Sequence, residues 1–129
     1  MVERLMTVLE TNTFIKRAAT CMPDPEREAF ITYIAAYPEA GVRIPETGGV
    51  RKVRWGVDAR GKRGGVRVVY YYHSAALPIF LLTVYAKNER DDLSQRDKQH
   101  IRRLTATLVE EYRRRRPHGD RGREHHRRS

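Results

Sequence analysis

Three consecutive segments near the middle of the chain have the composition of β-strands. Val50–Trp55 alternates between two faces, Val66–His73 is almost entirely β-branched and aromatic, and Ile79–Ala86 is apolar on both faces. A glycine-rich basic turn at 56–65 and a second turn at 74–78 join them. Because the links are short, the three segments predict an antiparallel meander.

Apolar residues at helical spacing predict two helices before this meander and one after it. Thr11 begins a group of N-cap oxygens for the first helix. Pro25 suits the first turn of the second helix, which ends at Pro38. Ser94 and Asp97 have the spacing of a capping box at the start of the last helix.

The first ten residues alternate weakly and are compatible with a first strand, which gives the order β-α-α-β-β-β-α. We therefore expect an α+β fold in which the helices pack on one antiparallel sheet, with a parallel crossover possible only at the first strand. Residues 1–112 are predicted to form one domain. Residues 113–129 are predicted to hold the arginine-rich end of the last helix and a tail that is disordered from residue 117.

The chain has a net charge of +10 over 129 residues, concentrated in two segments. The tail 113–129 has eight arginines against two acids, and the stretch 50–67 has seven basic residues against one acid. Such a charge favours a polyanion, most commonly nucleic acid, as partner. One cysteine, no apolar leader and no apolar run of membrane-spanning length predict a cytoplasmic protein with no membrane partner.

Familiar cofactor motifs do not occur in the sequence. One cysteine and scattered histidines give no zinc spacing, and GKRGG at 61–65 lacks the frame of a phosphate-binding P-loop. We therefore expect neither a metal nor another cofactor.

Side-chain alternation indicates that basic residues from three strands converge on one side of the sheet. Tyr71 and Tyr85 are expected to offer stacking surfaces beside them. Cations that hold phosphates and rings that stack on bases are what single-stranded RNA binding requires. Ordinary solvated sheet charges remain an equal alternative at this point. The converging residues are Lys52, Arg54, Arg67 and Lys87.

Three stretches closely resemble the RelE/HigB branch of bacterial type II toxins: GGVRKVRWG at 48–56, GKRGGVRVVYYYH at 61–73 and LLTVYAKNERDDLS at 81–94. The AKNE-x-x-DLS run is typical of HigB-like members. The resemblance implies a fold similar to small microbial ribonucleases and cleavage of messenger RNA in the ribosomal A site. It also implies neutralisation by an antitoxin, often a helix-turn-helix protein such as HigA.

The resemblance implies roles for particular residues. The family's strand arginine falls on Arg67, its basic pair on the preceding strand on Lys52 and Arg54, and its strand-end lysine on Lys87. Loop cations fall on Lys62 and Arg63. The chain departs from RelE itself at two positions, Asn88 in place of an arginine and Leu93 in place of a tyrosine. RelE's acid and base roles therefore do not transfer directly.

Metal-free RNA cleavage needs a base for the 2′-hydroxyl and an acid for the leaving 5′-oxygen. His73 and Glu89 are the expected candidates near the basic residues, although a strand-end role for His73 and local pairing for Glu89 are the commoner alternatives. A lysine surrounded by other cations gives up its proton more readily. That adds three candidates: Lys52, Lys62 and Lys87.

Two other functions are compatible with the sequence. One is a ParE-like toxin, which shares the fold and binds DNA gyrase without cleaving RNA. The other is a non-catalytic RNA-binding accessory domain, for which the arginine-rich tail is the best support. The density of basic residues on the sheet favours the ribonuclease.

Overall fold

The computed structural model of the chain describes residues 5–56, 65–87 and 93–115, together with the backbone of 123–125. Helices and strands follow in an order that matches the sequence-based prediction, with two short strands added. They are β1 (Val8–Glu10), α1 (Asn12–Cys21), α2 (Asp24–Ala36), β2 (Val42–Arg43), β3 (Val50–Trp55), β4 (Val66–Tyr71), β5 (Ile79–Ala86), α3 (Gln95–Arg115) and β6 (Arg123–His125).

All the strands belong to one mixed sheet with the order β2-β3-β4-β5-β1-β6. The segment β2 to β5 is an antiparallel meander, as its short links require. β1 joins β5 in the parallel direction, Val8 opposite Ile79. The sheet is therefore not wholly antiparallel, because the chain crosses from β1 through two helices before it returns.

A β-bulge changes the face of the sheet to which β5 side chains point. Val69 of β4 is opposite Thr83, but Tyr70 is opposite Leu81, so Leu82 is an extra residue on β5. Leu82 and Thr83 both lie on the α3 side because of this insertion. The bulge thereby places two consecutive β5 residues on the face that α3 covers.

Helices α1 and α2 cover one face of the sheet. The Thr11 hydroxyl caps α1 by accepting the Phe14 N–H at 3.2 Å. Pro25 lies in the first turn of α2, where a missing N–H costs nothing. Phe14 of α1 and Ile31 and Ile34 of α2 are fully buried against the sheet.

Helix α3 covers the opposite face and begins with the predicted capping box. The Asp97 N–H donates to Ser94 Oγ at 3.0 Å, and the Ser94 N–H donates to an Asp97 carboxylate oxygen at 3.3 Å. Ile101 and Leu108 are the buried anchors of this helix. They pack with sheet residues of a second core cluster: Leu9, Val50, Val69, Phe80, Leu82 and Tyr85.

The predicted bounds of β3 and β5 are confirmed, and β4 ends at Tyr71, two residues before the prediction. The first strand is shorter than expected and occupies only Val8–Glu10. The α+β class and the packing of helices on the sheet are confirmed. In the part of the chain that the structure describes, no helix is long and apolar enough to cross a membrane.

The prediction of disorder from residue 117 does not hold for residues 123–125. Their backbone forms β6, antiparallel to β1, with Leu9 opposite Glu124. The outer edge of β1 presents unpaired backbone groups that any extended segment can satisfy. This pairing depends on backbone groups, so the polar composition of the tail gave no sign of it.

Candidate functional site

Three side chains form a row across three adjacent strands. Arg54 of β3 lies directly opposite Arg67 of β4, and Arg67 lies directly opposite Tyr85 of β5. Residues opposed in this way have Cβ atoms about 5 Å apart and share one face of the sheet. The register thus brings two guanidinium-bearing residues together on the α3 side of the sheet.

Two lysines lie near this row. Lys52 is two residues before Arg54 and shares its face, roughly 7 Å along β3. Lys87 follows β5, where its N–H donates to the Gly65 carbonyl at 3.3 Å, beside the start of β4. We call Lys52, Arg54, Arg67 and Lys87 the basic cluster. Arg54 is exposed and the other three are partly buried.

The basic cluster remains accessible because α3 covers only part of this face. The helix packs on Val50, Val69 and Tyr85, and Arg54 lies outside the packed cluster. Arg67 lies on the same face as Val69, two residues closer to the link between β3 and β4. The result is an open, positively charged end of the sheet beside the start of α3.

Tyr85 does not offer the stacking surface predicted for it. Its side chain is only 2% exposed and belongs to the core under α3. The strand pattern correctly placed Tyr85 beside Arg67, but it contains no information about where α3 lies. Because α3 covers it, Tyr85 packs in the core beneath the site and does not face solvent.

Tyr71 and His73 lie away from the Arg54–Arg67 pair. Tyr71 is opposite Val50, four residues and roughly 13 Å along β4 from Arg67. Its ring is parallel to that of His73, with the centroids 6.4 Å apart. Tyr71 is therefore not beside Arg54 and Arg67 as expected, because sharing a face does not bring residues to the same position along a strand. It is instead a diagonal neighbour of Lys52, which lies opposite Val69.

Lys62, Arg63 and Glu89 fall outside the described residues, so their roles remain predictions. Among the described residues, no group of three or more histidine, cysteine, aspartate or glutamate side chains is arranged to hold a metal ion.

A cavity of about 210 Å³ adjoins the row on the α3 face of the sheet, between the first half of α3, β5 and two residues of α1. Tyr85 and Thr83 form its sheet wall, while Arg17 of α1 and His100 of α3 line its sides. The Arg17 Nε–H donates to the Val84 carbonyl at 3.0 Å. Sequence reasoning did not single out Arg17 or His100, because they belong to helices that meet β5 only in the folded chain.

A buried ion pair fixes β1 to α2 behind the site. The Arg27 guanidinium donates to the Glu10 carboxylate at 2.5 Å, and Glu10 is fully buried. Burial lowers the pKa of Arg27, but the hydrogen bond to Glu10 and the charges of Glu10, Glu28 and Asp24 together outweigh burial and raise that pKa above its ordinary value. The Arg27 guanidinium therefore stays charged, and its pairing with Glu10 is structural.

A second buried polar contact fixes the link between α2 and β2. The Tyr70 hydroxyl donates to the Pro38 carbonyl and accepts the Gly41 N–H, both at 2.8 Å. Burial raises the pKa of Tyr70 above its ordinary value of 10.0, and the Gly41 hydrogen bond opposes only part of that rise. The phenol is thus neutral and acts as a structural bridge.

The fold and the site together define a small, basic α+β protein whose sheet carries a cationic cluster suited to an anionic partner. Residues 35–115, well over half of the chain, match the family model described as the RelE toxin of the RelE/RelB toxin-antitoxin system. The chain belongs to the RelE toxin family. It is therefore the toxin of a toxin-antitoxin system, and a cognate antitoxin is its partner.

Proposed function

We propose that the chain is an endoribonuclease that cleaves messenger RNA in the ribosomal A site, in the cytoplasm, and thereby stops translation. The observation that carries this proposal is the Arg54–Arg67 pairing across β3 and β4, with Lys52 and Lys87 near it. A concentration of cations on an open face suits a phosphodiester.

The proposed reaction uses the substrate's own 2′-hydroxyl as nucleophile. It attacks the adjacent phosphorus, the bond to the 5′-oxygen breaks, and a 2′,3′-cyclic phosphate remains. Charge accumulates on the phosphorane oxygens in the transition state, where Arg54 and Arg67 would stabilise it. Removing one such cation typically lowers the rate about 10²–10³-fold.

Few residues in the described part of the chain can act as the acid or the base of this reaction. Lys52 and Lys87 belong to the basic cluster, whereas His73 lies at the far end of β4. We assign the acid and base roles to the cluster lysines, with Lys62 and Glu89 as the remaining predicted alternatives. A small toxin has few groups that can position its substrate. The ribosome would therefore hold the message with its 2′-hydroxyl in line with the scissile bond.

A test of this proposal is mapping of message 5′ ends by primer extension after brief induction. The wild type should give new ends within translated codons, and Lys52→Ala/Arg54→Ala should not. Arg96→Ala/Arg103→Ala removes the same charge from exposed positions of α3 and should cleave like the wild type. Growth arrest with intact messages and a DNA-damage response would instead support a gyrase-binding, ParE-like toxin.

We also propose that the antitoxin is a helix-turn-helix, HigA-like protein that is attracted to the basic stretch 50–67. Its association rate should then fall with salt, less steeply for Lys52→Ala/Arg54→Ala than for the wild type. Equal salt slopes in stopped-flow measurements would show that the antitoxin binds another surface.

A further inference from the structure

A groove with an apolar floor and charged margins lies on the same face of the sheet, toward the end away from Arg54 and Arg67. It has a volume of about 400 Å³ and runs between one flank of α3 and the loop before β3. Arg102 and Arg113 line it on the helix side, and Gly48 and Tyr71 line it on the sheet side. We call it the α3 groove.

The charge of the α3 groove is positive. Arg102 and Arg113 are both exposed and are separated by three helical turns, roughly 16 Å along α3. Glu110, the acid that lines the groove, forms an ion pair with Arg114 at 3.0 Å. The two groove arginines are too far apart to share one phosphate, so each suits a separate phosphate of an extended chain.

A buried hydroxyl group also belongs to this groove. Thr105 lines it from α3 and is 5% exposed, and its Oγ1 has no hydrogen-bond partner among the described residues. A buried hydroxyl without a partner is costly and therefore uncommon. A phosphate oxygen or ribose hydroxyl in the groove is the kind of group that would satisfy it.

The ring of Tyr71 lines the sheet side of the groove, and the ring of His73 lies next to it, outside the lining. Tyr71 is partly buried, and its ring is parallel to that of His73, which is exposed. Rings beside cations are the combination that binds single strands, because rings stack on bases while cations hold the backbone.

We propose that the α3 groove is a second RNA-binding subsite for single-stranded RNA. Arg102 and Arg113 bind separate backbone phosphates, and the exposed ring of His73 stacks on a base. The identity of the ligand rests on the proposed ribonuclease function: the basic cluster would take the scissile phosphate, and the groove would hold the same strand on one side of it. The groove thus contributes affinity and register, without touching the reacting atoms.

The first test is the salt dependence of binding to a fluorescein-labelled single strand with 2′-O-methyl groups, which lacks the nucleophile and stays intact. Loss of two phosphate contacts in Arg102→Ala/Arg113→Ala should reduce the slope of log affinity against log salt by about 1.4. Arg96→Ala/Arg103→Ala carries the same charge change outside the groove and should leave the slope near that of the wild type. Equal slopes for the two double variants would overturn the proposal.

The second test concerns stacking by His73. His73→Ala should weaken binding about fivefold or more, whereas His73→Phe should keep the affinity. Equal weakening by both substitutions would refute a stacking role. Tyr71 is unsuitable for this test because it also packs against the core under α3.

The two proposals fail in different ways. Wild-type protein that binds the strand through the groove but cleaves no message would refute the ribonuclease and leave the groove intact. Wild-type protein that cleaves messages while Arg102→Ala/Arg113→Ala keeps its full salt slope would refute the groove alone.

Discussion

Arg54 and Arg67 face each other directly across two antiparallel strands. Like charges in opposed positions weaken a sheet, by up to about 1 kcal/mol. An anion placed over the pair turns this repulsion into attraction. The arrangement is therefore one that an anionic partner would stabilise.

The clearest functional prediction concerns Arg67. Arg67→Ala should abolish growth arrest, because the loss of one transition-state cation lowers the rate about 10²–10³-fold. Arg67 is not part of either core cluster, so the thermal midpoint should stay within roughly 5 °C of the wild type. Arg103→Ala, on the exposed surface of α3, is the control and should remain toxic. Undiminished arrest, or an unfolded variant, would contradict the placement of Arg67.

The buried pair of Glu10 and Arg27 gives a stability prediction. Glu10→Gln leaves the Arg27 guanidinium without its main counter-ion and should lower the free energy of unfolding by about 3–5 kcal/mol. Glu28→Gln removes a half-exposed carboxylate 3.8 Å from the same arginine and should cost less than about 1 kcal/mol. Urea unfolding measures both. Similar losses for the two variants would mean that the Glu10 contact is not the dominant one.

Tyr70 makes stability depend on pH in the alkaline range. At neutral pH, Tyr70→Phe should be less stable than the wild type by about 1–3 kcal/mol, since the buried Gly41 N–H loses its acceptor. Above pH 10.0 the unfolded phenol ionises while the folded one, with its raised pKa, keeps its proton. Wild-type stability should then fall with rising pH, and the gap to Tyr70→Phe should narrow. A gap that stays constant in urea titrations across this range would be inconsistent with the raised pKa.

Deletion of residues 117–129 tests β6. Because Thr11 N–H bonds to Leu81 on the β5 side, strand alternation directs the Val8 and Glu10 amides toward β6. Hydrogen exchange should therefore accelerate at these two amides after deletion and remain slow at Leu9. The thermal midpoint should fall by less than roughly 5 °C, because an edge pairing of three residues contributes about 1 kcal/mol. Unchanged exchange at Val8 and Glu10 would show that β6 does not protect β1.

Much of the fold could be predicted because local signals agree with it. The alternation in β3 and the capping box of α3 are short-range features, and both occur where they were expected. The convergence of Arg54 and Arg67 also followed from local information, since two strands joined by one turn must pair in antiparallel register. Alternation placed Arg54 on the face of Lys52 and Arg67 on the face of Val69, and the pairing register of β3 and β4 brings those faces together.

Other parts of the site depend on long-range packing. The burial of Tyr85 follows from the position of α3, and the separation of Tyr71 from Arg67 follows from distance along β4. The α3 groove joins Gly48 to Arg102, which are far apart in the sequence. No periodicity within one element specifies these relationships.

The position of β1 has a consequence during synthesis of the protein. β1 emerges from the ribosome early, yet its neighbours in the sheet are β5 and β6, which follow much later. A nascent chain that stops before Ile79 cannot pair β1, and it also lacks Lys87 and α3. Truncated copies of this toxin, such as those made from a broken message, would therefore be both unfinished in fold and without a complete site.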